Sequence, residues 1–124
     1  MLKKILLVED VPEMQKMVAA RLKSLHYHVL TVRDGQEALT KIETDRPDLL
    51  ITDLALPGAV SGSMIIRRLR ENEATKDIPI IVLSAYVHRD MGKGVEFPAD
   101  VYIPKPFKAQ DLIDAIVRLI GTVA

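Results

Sequence analysis

The sequence predicts an α/β protein, a three-layer αβα sandwich around a five-stranded parallel sheet, and three features of the chain lead there. Apolar runs of strand length alternate five times with longer stretches of amphipathic, helix-period pattern, the signature of consecutive βα units. Runs such as Ile5-Leu6-Leu7-Val8 and Ile78-Pro79-Ile80-Ile81-Val82-Leu83 are almost unbroken, as strands covered by helices on both faces require. Three runs end in charge: Glu9-Asp10 after the first, Asp53 after Asp48-Leu49-Leu50-Ile51-Thr52, and Lys105 after Val101-Tyr102-Ile103-Pro104. Ligands of open parallel sheets collect outside the carboxyl ends of the strands, so three carboxylates and one ammonium converge on one crevice, a cation and phosphate site.

The elements follow in order. After the strand 5–8, Met14, Val18, Leu22 and Leu25 recur at helix spacing; His28 to Val32 is the second strand. Ala38-Leu39 with Ile42 marks a second helix opened near Asp34-Gly35. The third strand, 48–52, is introduced by Pro47. Leu56-Pro57-Gly58 to Gly62 reads as a loop, and Ile65, Ile66 and Leu69 as a helix ending near Glu73. The run 78–83 is the fourth strand and the most apolar. A weak helix interrupted by Gly92 and Gly94 bridges to the fifth strand at Val101, and Leu112, Ile113, Ile116, Val117 and Ile120 form the last helical face.

These 124 residues make one domain, 1–124, large enough to bury roughly two-thirds of the surface of its unfolded chain without staples. Five βα units leave no room for a second domain. There is no cysteine, which excludes a disulfide framework, thiol catalysis and a thiolate zinc site and suits a reducing compartment. Seventeen basic residues balance 17 acidic ones, so neither a nucleic-acid footprint nor a polybasic membrane patch is present. The apolar stretch within residues 1–8 is too short for a signal peptide, and no later run reaches about 18 apolar residues. The reading is a cytoplasmic domain without direct nucleic-acid or membrane binding. His26 and His28 flank a strand start and read as surface or structural residues; His88 opens the weak helical segment.

In a sheet of order 2-1-3-4-5 the first and third strands are neighbours, and Glu9-Asp10 and Asp53 leave them on loops that splay around a crevice. Three carboxylates at close range repel unless a cation joins them. Oxygen-only ligands with open coordination favour Mg²⁺, with Mn²⁺ as a substitute. Any one of these acids alone would read as a solvated loop residue; all three with Lys105 read as a site.

The acid pair Glu9-Asp10, Asp53 within Thr52-Asp53-Leu54-Ala55-Leu56-Pro57, Ser84-Ala85 after the fourth strand and Lys105-Pro106-Phe107 after the fifth together resemble the motifs of the receiver domain of two-component response regulators. The resemblance covers nearly all of residues 2–120. It implies a flavodoxin-like (βα)5 domain with five helices that accepts a phosphoryl group from the phosphohistidine of a sensor kinase or of a histidine phosphotransfer protein. Asp53 is then the acceptor. Glu9, Asp10, Asp53 and the backbone carbonyl of Ala55 serve the metal, and Lys105 pairs with the phosphoryl oxygens. The resemblance also implies a cis bond before Pro106. It makes Tyr102 a switch residue that swings inward when Ser84 is drawn to the phosphoryl group, changing a surface read by a downstream protein, an output domain or a second copy of the chain. Without the resemblance, Tyr102 is a half-buried aromatic and Phe107 a packing anchor for the last helix.

The chemistry is consistent with those roles. In-line attack on phosphorus needs alignment and neutralisation of the three equatorial oxygens more than a strong nucleophile. Mg²⁺ and Lys105 supply neutralisation; the Ser84 hydroxyl and the N–H groups around Ala55 and Ala85 supply hydrogen bonds. The chain therefore reads as a phosphoacceptor, with at most self-phosphorylation from small donors and slow self-dephosphorylation, and not as a turnover enzyme. An aspartyl-nucleophile phosphatase shares the metal and the strand-end aspartate. It usually carries an acid two residues after the nucleophile, where this chain has Ala55, and a cap for which there is no sequence. A phosphorylation-independent binding module of the same fold is the other alternative. Two departures from the family pattern fall beside the output face. The loop 57–62 is one residue longer than usual and lacks its common aspartate, and the stretch between Ser84 and Lys105 is one residue short. Gly92 and Gly94 would each weaken a helix by about 0.5–1 kcal/mol relative to alanine, which predicts a short, irregular or mobile fourth helix.

Overall fold

Successive residues of each strand face opposite helical layers, and this alternation divides the core in two. The computed structural model describes residues 3–85 and 98–123. In chain order these form β1 (Lys4–Val8), α1 (Pro12–Ser24), β2 (His28–Val32), α2 (Gly35–Thr44), β3 (Leu49–Thr52), α3 (Gly62–Glu71), β4 (Ile80–Ser84), β5 (Val101–Pro104) and α4 (Ala109–Ile120). All ladders are parallel and the order is β2-β1-β3-β4-β5, as expected. Ile5, Leu7, Leu49, Ile51, Ile81, Leu83 and Ile103 pack under α1 and α4 with Leu22, Leu112 and Ile116. Leu6, Val8, Leu50, Ile80 and Val82 pack under α2 and α3 with Ala38, Ile42, Ile65 and Leu69. The inner strands are buried on both sides, which is why their sequences run apolar without a polar face.

Register positions the site. Val8 pairs with Thr52, so the next residues, Glu9 and Asp53, leave the sheet side by side, with Asp53 N–H donating to the Val8 carbonyl at 3.4 Å. Ser84 pairs with Pro104 and accepts from Lys105 N–H at 3.0 Å, which starts the Lys105 side chain at the same end of the sheet.

Element boundaries depart from the sequence reading, and at three places the cause is local. The fourth strand starts at Ile80, two residues later than the apolar run. Ile78 N–H is turned back onto the Thr75 carbonyl at 3.0 Å, and Pro79 has no N–H to offer the ladder. Helix α3 ends at Glu71 instead of near Glu73, because Asn72 is extended and its side-chain oxygen accepts from Ala74 N–H at 2.9 Å. The third strand begins at Leu49, while Asp48 bridges to β1 through Lys4 N–H on its carboxylate at 2.7 Å. Helix α2 is capped where expected, by Asp34 accepting from Glu37 N–H at 2.8 Å. The expected fourth helix with Gly92, Gly94 and His88 lies outside the described residues.

One polar clasp ties the α3 side to the start of β5. The Arg70 guanidinium donates to the carbonyls of Ile78 at 2.6 Å, Lys76 at 2.8 Å and Pro98 at 3.5 Å, and to the Asp100 carboxylate at 2.9 Å. Asp100 also accepts from Ile80 N–H at 2.7 Å, so one side chain extends the β4–β5 pairing past its last backbone rung.

Candidate metal and phosphoryl site

Three strand ends build the site. Glu9, Asp10 and Asp53 each offer a carboxylate oxygen, and these oxygens lie within 4.8 Å of one another. Lys105 Nζ donates to Glu9 Oε1 at 2.6 Å and to Asp53 Oδ2 at 2.9 Å. Glu9 is 2% exposed and Asp53 9%, so the ammonium bridges two buried acids. Burial alone would pull the Lys105 ammonium down, but its hydrogen bonds to Glu9 and Asp53, and their charges, outweigh that and hold it above the ordinary lysine value. One cation among three carboxylates leaves the cluster negative.

The acids are held differently. Glu9 has both carboxylate oxygens engaged, since Oε2 accepts from Val11 N–H at 3.2 Å. Asp53 Oδ1 accepts from Ala55 N–H at 3.2 Å. Asp10 is partly exposed and makes no hydrogen bond or ion pair among the described residues. This donor set, hard oxygens without thiolate or imidazole and with charge left over, fits a divalent cation of the Mg²⁺ or Mn²⁺ type.

The remaining expected residues fall around this centre. Ser84 is the last residue of β4 rather than the residue after it, and is fully buried. Strand parity puts it on the face of Val82 and Tyr102, toward α3. Tyr102 is half-buried on that face, and its hydroxyl accepts from Ala99 N–H at 2.9 Å. The Lys105–Pro106 bond is cis. Phe107 packs against the α1–α4 side of the core, as an anchor for α4 should. His26 and His28 are both exposed, in keeping with surface roles.

Two residues of the site were not singled out from the sequence. Gly62 opens α3 against the backbone of the aspartate itself: a Cβ there would lie 1.9 Å from the Asp53 carbonyl oxygen and 2.8 Å from Leu54 Cα. Its N–H donates to the Leu54 carbonyl at 2.9 Å, closing the β3–α3 loop on itself. Gln15, on the first turn of α1, donates from Nε2 to the carbonyls of Glu9 at 3.1 Å and Val32 at 3.0 Å. The Gly62 signal was its place just after a Pro-Gly loop; Gln15 left none.

Comparison with known proteins agrees with this geometry. Residues 5–117 match the family model described as the response regulator receiver domain. The phosphate regulon transcriptional regulatory protein PhoB of Pseudomonas aeruginosa is 39% identical over 123 residues, covering 96% of this chain and 53% of that protein. The chain spans about half the length of that regulator. Among solved structures, the receiver domain of the sensor histidine kinase PA1611 of P. aeruginosa, with a magnesium ion coordinated in its active-site cleft, superposes with a TM-score of 0.85 at 35% identity, covering 98% of this chain and all of that one, 100%. The response regulator TrrA of Thermotoga maritima, in complex with Mg²⁺ and BeF, gives 0.84 at 32% identity over 96% of this chain and 100% of that one. With a matching family model over most of its length and an acidic cluster at the strand ends where that fold binds its ligands, the chain belongs to the response regulator receiver domains.

Proposed function

We propose that this domain, taken as the single unit 1–124, is a phosphorylation switch in which Asp53 accepts a phosphoryl group from the phosphohistidine of a sensor kinase or a histidine phosphotransfer protein. The observation that carries the reading is Lys105 Nζ bonded at once to Glu9 and Asp53, beside an Asp10 with no partner among the described residues. A bound Mg²⁺ or Mn²⁺, held by Glu9, Asp10, Asp53 and the Ala55 carbonyl, would supply Lewis-acid neutralisation of the phosphoryl oxygens. Asp53 presents Oδ2 to the crevice while Ala55 N–H fixes Oδ1, which aligns the carboxylate for in-line attack. Lys105 follows the negative charge from the free carboxylate to the transferred oxygens. Ser84 donates its hydroxyl to the same group, and Tyr102 exchanges its bond from Ala99 N–H for an inward position when Ser84 moves. The face so altered is read by a downstream protein, an attached output domain or a second copy of the chain. Zero net charge argues for a protein partner over nucleic acid. No helix among the described residues is long and apolar enough to cross a membrane, and the absence of cysteine suits the cytoplasmic placement proposed here.

Incubation with Mg²⁺ and a small phosphodonor tests the reading by intact mass. One phosphoryl group per chain, lost in Asp53→Asn and when Mg²⁺ is chelated, is expected. Many turnovers of donor would point to a phosphatase, and an unmodified chain to a binding module; either result rejects the switch.

A further inference from the structure

Gln15 sits in the one place where the acidic loop leaves the sheet. At the end of β1 the ladder to β2 continues for one rung beyond the strand, with Glu9 N–H donating to the Val32 carbonyl at 3.1 Å. The chain then turns to reach Pro12 at the start of α1, and the Glu9 carbonyl has passed the end of the ladder. Gln15 takes it up: Nε2 reaches back from the helix and donates one hydrogen to Glu9 and the other to Val32. The two protons of a primary amide are thereby both used, one on the carbonyl just past the end of β1 and one on the last carbonyl of its neighbour β2. Val11 stands at the cap position and offers no side-chain bond, although its N–H donates to Glu9 Oε2 at 3.2 Å, and the Gln15 N–H to the Val11 carbonyl at 3.0 Å is the first backbone rung of the helix. The same short loop carries Glu9 and Asp10, two of the three acids.

We infer that Gln15 is a positioning residue: its side-chain amide fixes the path of residues 9–11 and so pre-organises Glu9 and Asp10 for a divalent cation. The inference rests on the metal-binding reading of the acidic cluster. Two acids on a free loop must be drawn together against their mutual repulsion whenever the ion binds; on a clamped loop that ordering is already complete in the metal-free protein. Gln15 touches neither ion nor phosphoryl group. It acts through the backbone of Glu9.

Two replacements separate this role from simple stabilisation. Gln15→Leu keeps the size and removes both donors; Gln15→Asn keeps an amide but is one methylene too short to hold both carbonyls. Mg²⁺ titration of the unphosphorylated protein, followed by backbone amide shifts, is expected to show affinity reduced on the order of five-fold in both variants, the equivalent of about one hydrogen bond. The metal-free shift changes should be confined to residues 9–11 and Val32, with thermal unfolding in chelator moved by only a few degrees. Parent-like Mg²⁺ affinity in Gln15→Leu, with lowered thermal stability, would make Gln15 a structural residue and overturn the inference. Shift changes spread through the sheet would do the same. A parent protein that binds no Mg²⁺ would instead remove the metal-binding reading itself.

Discussion

Lys105 occupies the oxygens a metal ion would use, which leads to a prediction opposite to that for an ordinary supporting residue. Consider Lys105→Met, which keeps most of the side-chain bulk and removes the charge. The ammonium lies 2.6 Å and 2.9 Å from Glu9 and Asp53 oxygens, and a dication sharing those oxygens would sit within roughly 4 Å of it. Repulsion between one and two positive charges at that range is about 2 kcal/mol in bulk water and about 8 kcal/mol at an effective dielectric constant of 20. The Lys105 side chain keeps 16% of its exposure and can swing aside, so the low end applies. The variant should therefore bind Mg²⁺ more tightly by about 1–2 kcal/mol, or roughly five- to thirty-fold. Calorimetric titration at fixed ionic strength reads this directly. Thermal unfolding gives a second reading: the variant, with two buried acids left uncompensated, is less stable than the parent in chelator but gains more on Mg²⁺ addition. Phosphorylation by a small donor should nevertheless slow by at least about ten-fold, since the charge that meets the phosphoryl oxygens is gone. Unchanged or weaker Mg²⁺ binding in a folded Lys105→Met protein would refute the competition and the charge accounting behind it.

Three further outcomes follow from the same geometry. Gly62→Ala should destabilise by about 2 kcal/mol or more by chemical denaturation, because the backbone clash with Asp53 and Leu54 exceeds the roughly 1 kcal/mol of helix propensity gained; a stabilised variant would show that the β3–α3 loop yields freely. Arg70→Ala removes the clasp on three carbonyls and Asp100 and should cost about 2–4 kcal/mol; a loss under about 0.5 kcal/mol in urea titration would mean that water replaces it. Burial raises the phenol of Tyr27, whose hydroxyl donates to the Gly121 carbonyl at 2.7 Å. The unfolded chain ionises first, so this contribution is full below pH 10.0 and is lost as pH rises from there through the folded value. Tyr27→Phe should cost about 1 kcal/mol at neutral pH and flatten that alkaline decline; an identical decline in both proteins would assign it entirely to other groups, Lys105 among them.

The main acids and the lysine were readable because a parallel sheet writes its interior as apolar runs, and a charge that ends such a run is placed by the fold at the ligand end. Glu9, Asp53 and Lys105 met there as expected from that rule alone. The pair of inner strands that brings Glu9 beside Asp53 follows from the order of the sheet, and the observed Val8–Thr52 pairing supplies the register. What stayed hidden is what acts through backbone. Gln15 on the first turn of a helix has the pattern of a solvated residue, and the two carbonyls it holds carry no side-chain signature. Gly62 reads as loop punctuation until the Asp53 carbonyl is seen where its Cβ would be. Arg70 and Asp100 are 30 residues apart, and Arg70 also holds the carbonyl of Ile78, where the apolar run begins two residues before the strand starts. Such boundaries depend on one amide finding Thr75 instead of the ladder, a choice that local composition does not reveal.

The acids and the lysine also hang from rails of different strength. Strands β1 and β3 are each held on both sides, by β2 and β3 and by β1 and β4, whereas among the described residues β5 is an edge strand joined only to β4. Local opening begins where fewest backbone bonds must break. Fraying of β5 carries Lys105 away and leaves Glu9 and Asp53 on a floor that has not moved. Thermal motion can thus withdraw the positive charge from the crevice ahead of the negative charges, so the site opens toward cations while β1 and β3 stay paired. Faster amide exchange at Tyr102, Ile103 and Lys105 than at Leu6 to Val8 and Leu50 to Thr52 would record this asymmetry, and equal protection would mean that the lysine departs only when the whole sheet unfolds.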